Sequence, residues 1–263
     1  MKNRATAEIA REEAIHGSRW ESLHDGYFSS HTVASPFTDT IRKKILETRP
    51  GTIADLGGGT GFILTLLSHA PEAEGVEFIA VDNSARQLGE AAKRGIHLLQ
   101  KGVEDVTRQD LSPGDRPLML IMRSVIHYFG KDSMSRVLGN IRRIARDGEY
   151  FIHQSASFPN AEQADCLNLL YSLMGTQKWY PDRDFMCMAL KNAGWRVDEI
   201  IDAPTLLLKS DDLRQRYSLT SHNVREIIQR ISSEFPDMDE VFRTMGNNTF
   251  EAELKYAIYI CRA

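Results

Sequence analysis

Short apolar runs alternate with stretches of helical period through the middle of the chain. Residues 52–56 (TIADL) form an apolar run that ends in a cluster of glycines, as a buried parallel strand does. Residues 62–69 have helical spacing, 76–81 (VEFIAV) predict a second strand, and 84–93 a second helix. A weak third strand follows at 96–100 and a strong fourth at 117–122 (PLMLIM), then a helix over 131–146 and the start of a fifth strand at 150–153. Strands alternating with helices of this length predict a parallel sheet with helices on both faces.

The flanks depart from that rhythm. Residues 5–20 and 39–48 read as helices, and residues 24–36 between them are rich in Gly, Ser, His and aromatics. The first 50 residues are therefore expected to be a helical cap, either simply packed on the core or serving as a lid over a ligand site. Toward the other end, 182–193 is helical and closed by Gly194, and 196–201 is a strand. Residues 211–245 are polar and mostly helical, broken at Pro236, and 254–261 (LKYAIYIC) read as a strand returning to the sheet. Residues 204–249 thus form a helical insertion before the last strand. Insertions of that size are usually functional lids or interaction elements, so a homodimer is one expectation. The domain proper is 51–263.

Composition narrows the classes. The chain has 263 residues, 42% hydrophobic and 26% charged, which is ordinary globular composition. Lys+Arg 32 against Asp+Glu 36 gives 32 − 36 = −4, the wrong balance for a polyphosphate partner. Arg136, Arg142, Arg143 and Arg146 share helical spacing and read as a solvated face. Cys166, Cys187 and Cys261 are too few and too scattered for a disulfide framework or a zinc ribbon, and no metal site is expected. No apolar core of signal length opens the chain, and no run approaches roughly 18 apolar residues. The expectation is a cytoplasmic protein with a small-molecule partner, and neither nucleic acid nor membrane.

The chemistry concentrates in Asp55-Leu56-Gly57-Gly58-Gly59-Thr60-Gly61, between the first strand and the first helix of the alternating region. A parallel sheet binds ligands just beyond the carboxyl ends of its strands, and glycines there let the backbone approach a ligand closely. The spacing is neither G-x-G-x-x-G nor that of a P-loop, because Phe62-Ile63 follow Gly61. An acid-x-Gly-x-Gly-x-Gly pattern remains: Asp55, Gly57, Gly59, Gly61. It resembles the first motif of class I S-adenosylmethionine (SAM) dependent methyltransferases, and the likeness extends over residues 51–194 and 254–261. The resemblance implies a Rossmann-like, seven-stranded, mainly parallel sheet with an antiparallel last strand, and SAM as cofactor. Asp82, followed by Asn83, matches the acid that holds both ribose hydroxyls. Val103 and Glu104 match the segment that holds the adenine, and Arg123 and Ser124 lie where the family cradles the methionine end. Other readings of the same residues stay open. Asp82 caps the helix at Ser84, Glu104 is a solvated loop acid, or the Arg123 side chain merely pairs with a carboxylate.

Methyl transfer from a sulfonium needs alignment, and a base only where the acceptor must lose a proton. His127, in Ser124-Val125-Ile126-His127-Tyr128-Phe129, is similar to the His-bearing segment of small-molecule O-methyltransferases, whose matching His is the base in one branch. That branch carries a long N-terminal dimerisation domain, and only about 50 residues precede the core here. A cofactor or substrate wall and a packed histidine are the other readings. Tyr27, His31, His153 and Tyr180 are candidate acceptor contacts. The fourth strand is followed by Arg123-Ser124-Val125 rather than the Asn/Asp-Pro-Pro-Tyr of planar-amine enzymes, and no cysteine follows a proline. The expected function is therefore SAM-dependent O-methylation of a small molecule. The alternatives are N- or C-methylation of a small metabolite and a SAM-binding protein without transferase activity.

Overall fold

The computed structural model describes residues 26–112 and 114–263. The helix expected at 5–20 lies outside them. The chain enters through α1 (His31–Thr48), whose first turn is closed by Ser30 Oγ accepting from the Val33 N–H at 3.3 Å. This helix starts eight residues before the expected boundary at 39, with Pro36 inside it. The apolar stripe Ala34, Phe37, Ile41 and Ile45 runs through the proline and is buried along its length, and that burial outweighs the one backbone bond the proline forgoes.

The alternating region follows as β1 (Thr52–Leu56), α2 (Phe62–Ser68), β2 (Glu77–Asp82), α3 (Ala85–Ala92), β3 (His97–Gln100), β4 (Leu118–Arg123), α4 (Gly130–Ile144) and β5 (Tyr150–Ala156). Two helices come next, α5 (Ala161–Leu173) and α6 (Arg183–Asn192), then β6 (Arg196–Lys209), α7 (Ser210–Tyr217), α8 (Ser221–Glu234), β7 (Phe242–Met245) and β8 (Thr249–Arg262). The sheet order is β3-β2-β1-β4-β5-β8-β6, with β7 pairing β8 off that path. Strands β1 to β5 are parallel, and β8 is antiparallel to β5 and β6. The chain reverses direction across the sheet between β1 and β4, so the ligand crevice of such a fold lies at their carboxyl ends.

The sheet and the segment before its last strand also differ from the sequence expectation. The sheet has an eighth strand, and the 204–249 segment is only partly helical: β6 runs on to Lys209, β7 lies within the segment, and α8 ends just before Pro236. Tyr256 pairs with both Ala156 and Ala203. Beyond it β6 and β8 continue past the end of β5, from Leu206↔Leu254 to Lys209↔Glu251, after a register shift that takes in Pro204. With β7 added through Phe242↔Ala252, a three-stranded ribbon stands above the carboxyl edge of the sheet. Sequence periodicity misses it because β7 is only four residues long and carries polar Arg243 and Thr244, so its strand character comes from pairing with β8 rather than from its own pattern. Helix α5, also unread in the sequence, packs against this ribbon.

The apolar residues form three clusters. One fills the sheet face under α4 and α6, around Met134, Leu138, Ile141 and Trp195. Another fills the opposite face under α1, α2 and α3, around Phe37, Leu64 and Leu88. The third lies between the ribbon and helices α5, α7 and α8, around Leu170, Leu208, Leu213, Ile227 and Phe250. It is this third core that roofs the crevice.

Candidate functional site

The loop after β1 is shaped by what its glycines touch. Gly57 has φ +79°, and a Cβ there would lie 2.5 Å from Val125 Cγ2; Gly61 has φ +75°, and its Cβ would lie 2.7 Å from Ile96 Cδ1. Both glycines let the loop pack onto protein. At Gly59 the nearest atom to an added Cβ is Gln87 Oε1 at 3.7 Å, so this backbone faces open space. The Gly57 and Gly58 N–H groups donate to the Val81 carbonyl at 2.8 and 3.0 Å. The Gly59 N–H donates to Asp82 Oδ2 at 3.0 Å, and Asp82 Oδ1 accepts from the Ser84 N–H at 2.9 Å. Through these two bonds Asp82 braces the loop.

Beside this loop a cavity of about 210 Å³ runs from the ends of β1 and β2 to the ribbon. Asp55, Gly57, Gly59, Asp82, Asn83, Val103, Glu104, Arg123, Ser124, His127 and Tyr180 all line it. Asp55 is almost fully buried, and its Oδ1 has no hydrogen-bond partner. Burial, and then the charge of Asp82, push its carboxyl up to about 7 against the partial relief of Arg123.

Arg123 closes β4 and ties the N-terminal segment over the cavity. Its Nη1 donates to the Phe28 carbonyl at 3.0 Å and its Nε to Gln154 Oε1 at 3.3 Å, while Nη2 is buried without a hydrogen-bond partner. No carboxylate forms a hydrogen bond with it among the described residues, and burial lowers its pKa. Ser124 has φ +61°, an uncommon backbone for a residue with a side chain. It is held by its N–H to the Gln154 carbonyl at 2.8 Å and by its Oγ to the Tyr256 hydroxyl at 2.7 Å.

His127 sits in the short 3₁₀ turn Ile126–Phe129. Its ring stacks on Tyr180, with centroids 5.1 Å apart and planes inclined by 27°. Tyr180 is itself fixed at both ends of its backbone: its N–H donates to Asn168 Oδ1 and its carbonyl accepts from Asn168 Nδ2, each at 2.8 Å. The end of the cavity around His127 is a chamber whose walls include Tyr128, Tyr171, Tyr256, Leu206 and Leu254, with Lys178 and Arg216. Sequence reasoning missed Tyr171, Lys178, Leu206, Arg216, Leu254 and Tyr256. Lys178 alone had a signal, its place beside Trp179-Tyr180.

The remaining sequence candidates lie elsewhere. Gly61 and Tyr27 are not on the cavity wall; the Tyr27 hydroxyl donates to the Pro204 carbonyl and its ring packs on Tyr256, 5.8 Å away. His31 is exposed at the start of α1, edge-on to Phe62 at 5.6 Å. His153 is wholly buried in β5 between Phe151 and Tyr259, with Nδ1 2.8 Å from Ser155 Oγ, and burial lowers its pKa to about 3. The cavity does not reach it. Its strand position at 153 leaves two readings in sequence, and pairing with β8 on one side and β4 on the other selects the buried one. No helix among the described residues is long and apolar enough to cross a membrane.

A family described as "Methyltransferase domain" matches residues 31–200. No curated protein matches the chain in sequence. Among solved structures, the YcgJ protein of Bacillus subtilis has a TM-score of 0.60 at 13% identity, covering 87% of this chain and 99% of its own. A putative methyltransferase of Bacillus halodurans C-125 has a TM-score of 0.61 at 14% identity, covering 85% and 98%. Magnesium protoporphyrin IX methyltransferase from Synechocystis PCC 6803, with bound S-adenosylhomocysteine (SAH), has a TM-score of 0.54 at 11% identity, covering 98% and 95%. At these identities the likeness is one of fold. The matched stretch ends at residue 200, so Leu206, Arg216, Leu254 and Tyr256 of the chamber lie beyond it.

Proposed function

The chain belongs to the methyltransferase-domain family, and on that premise we propose that it moves a methyl group from SAM to an oxygen of a small-molecule acceptor. The observation that carries this reading is one continuous cavity with two unlike ends. One end is a glycine loop flanked by Asp55, Asp82 and Glu104; the other is an aromatic chamber containing His127.

The residues present fit the cofactor. Gly59 presents bare backbone to the cavity, Asp82 is placed to accept from a ribose diol, and Glu104 with the Val103 backbone suits an adenine edge. The buried, unpartnered Oδ1 of Asp55 suits a donor such as an ammonium group. The carboxylates of Asp82 and Glu104 at this end repel a diphosphate and favour a cofactor with positive charge.

When bound, SAM supplies an activated methyl group on a positively charged sulfur. The chain's own work is alignment, worth about 7–11 kcal/mol for well-oriented reactants, and exclusion of water under Phe28 and the ribbon. His127, braced by Tyr180, takes the proton of the acceptor hydroxyl onto its imidazole as general base.

Calorimetric titration of the wild type and Asp82→Ala with SAM and SAH, with NADH as control, tests the cofactor. Micromolar binding of both sulfur nucleotides, weakened in the variant, supports the reading. Binding of NADH alone, or of none of the three, overturns it.

A further inference from the structure

The strands of the ribbon bring one polar side chain to the cavity. Leu206, Leu254 and Tyr256 are the residues of β6 and β8 on its wall. Leu254 and Tyr256 alternate onto one face of β8, Leu206 pairs with Leu254, and only Tyr256 carries a hydroxyl. Ser124 Oγ donates to that hydroxyl at 2.7 Å. The two groups hold two hydroxyl protons between them, and the bond that joins them uses one. Neither side chain has a further hydrogen bond among the described residues, so the Tyr256 proton lacks a protein acceptor. Tyr256 is only 2% exposed, and a buried donor left unpaired bears the full penalty of its desolvation. Nor is it free to swing away. Its ring packs on Tyr27, 5.8 Å off and itself tied through its hydroxyl to the Pro204 carbonyl, while its oxygen is held by Ser124 where β4 ends. Burial raises its pKa above the ordinary value, so the group acts as a donor and not as a base.

We propose that Tyr256 selects the acceptor by donating a hydrogen bond to it, and that the acceptor is a hydroxylated ring compound whose second, carbonyl oxygen takes this bond. The inference deepens the proposed function and rests on it. The rings of His127, Tyr128, Tyr171 and Tyr180 on the chamber wall suit a flat aromatic body. A proton donated to the reacting hydroxyl would occupy the lone pair that attacks the methyl group and would oppose proton removal by His127. Donated to a second oxygen, the same bond orients the ring and leaves the nucleophile intact. A ligand without that oxygen would leave the buried donor unpaired, which is how such a site rejects an isostere. Tyr256 lies outside the family-matched stretch 31–200, so this selection belongs to the ribbon.

The test is calorimetry with 3- and 4-hydroxyacetophenone, which carry the carbonyl, and 3- and 4-ethylphenol, which match them in shape without it. Each is titrated into the full chain with and without SAH, in the wild type and in Tyr256→Phe. In the wild type at least one ketone is expected to bind more tightly than its ethyl partner. That ratio should fall at least about fivefold in Tyr256→Phe, the loss of one buried hydrogen bond, while the ethylphenols and SAH bind as before. Tyr256→Leu serves if Tyr256→Phe does not fold. Ketones bound no more tightly than their ethyl partners by the wild type, or a ratio that falls by less than this in every folded variant, overturns the proposal. A ratio that holds while SAH affinity falls overturns it too, and places the hydroxyl at the cofactor instead. Failure of SAH to bind the wild type falls on the cofactor reading, and the ratio is still scored in the titrations without it.

Discussion

His127 lies flat against Tyr180, their ring centroids 5.1 Å apart and their planes at 27°, and both line the same cavity. The stack is held from behind, because Asn168 bonds both the N–H and the carbonyl of Tyr180. A histidine so placed has one ring face fixed, which suits the general-base role proposed for it.

His127→Ala is therefore expected to lower turnover by roughly 10²–10⁴-fold, the usual worth of a positioned base, with SAH affinity unchanged by calorimetry. The residual rate should rise with pH as the acceptor ionises by itself. An unchanged rate at every pH would remove the base role.

Gly57 and Gly59 are expected to fail differently when replaced. Gly57→Ala puts a methyl 2.5 Å from Val125 Cγ2 at φ +79° and should cost about 1–3 kcal/mol in urea unfolding. Val125→Ala in the same chain should recover part of that loss. Gly59→Ala meets no atom nearer than 3.7 Å, so only its φ of +54° strains the backbone, and its larger effect should be on SAM affinity. Equal unfolding costs at the two positions would contradict this division.

Stability should depend on pH through two buried groups of opposite sense. The folded pKa of His153, near 3, lies below its ordinary 6.5. The unfolded chain therefore binds the extra proton between these values, and stability falls as pH drops through that window. The folded pKa of Asp55, near 7, lies above its ordinary 3.8. There the folded chain holds the extra proton, and stability falls as pH rises from about 4 to 7. His153→Phe, which keeps a ring between Phe151 and Tyr259, should flatten the acid side of the melting-temperature profile. Asp55→Asn should flatten the neutral side. A profile unchanged by either substitution would mean that these groups do not titrate with folding.

The parallel sheet and the glycine loop were legible because their information is local. Alternating apolar runs carry the strands; Asp55 and Asp82 lie at the carboxyl ends of β1 and β2, and Gly57, Gly59 and Glu104 a short step beyond strand ends. The boundaries that shifted did so where distant contacts act: α1 starts at His31 because its stripe is buried on the sheet, and β6 extends to Lys209 because β8 pairs with it. Helix α5 was unread, and with it Asn168 and Tyr171. The 204–249 segment looked mostly helical, broken at Pro236, because β7 has no strand signal apart from its partner.

The sequence by itself thus determined the fold class and the glycine-loop end of the cavity, since period and spacing within short segments dictate both. Only the tertiary structure decided the aromatic end. Phe28, His127, Lys178, Arg216 and Tyr256 are scattered along the chain, and it is the pairing register of β6 with β8 and the packing of α5, α7 and α8 on their ribbon that brings them to one chamber. The same packing sealed His153 into the core, for burial is a property of what surrounds a residue and not of the residue itself.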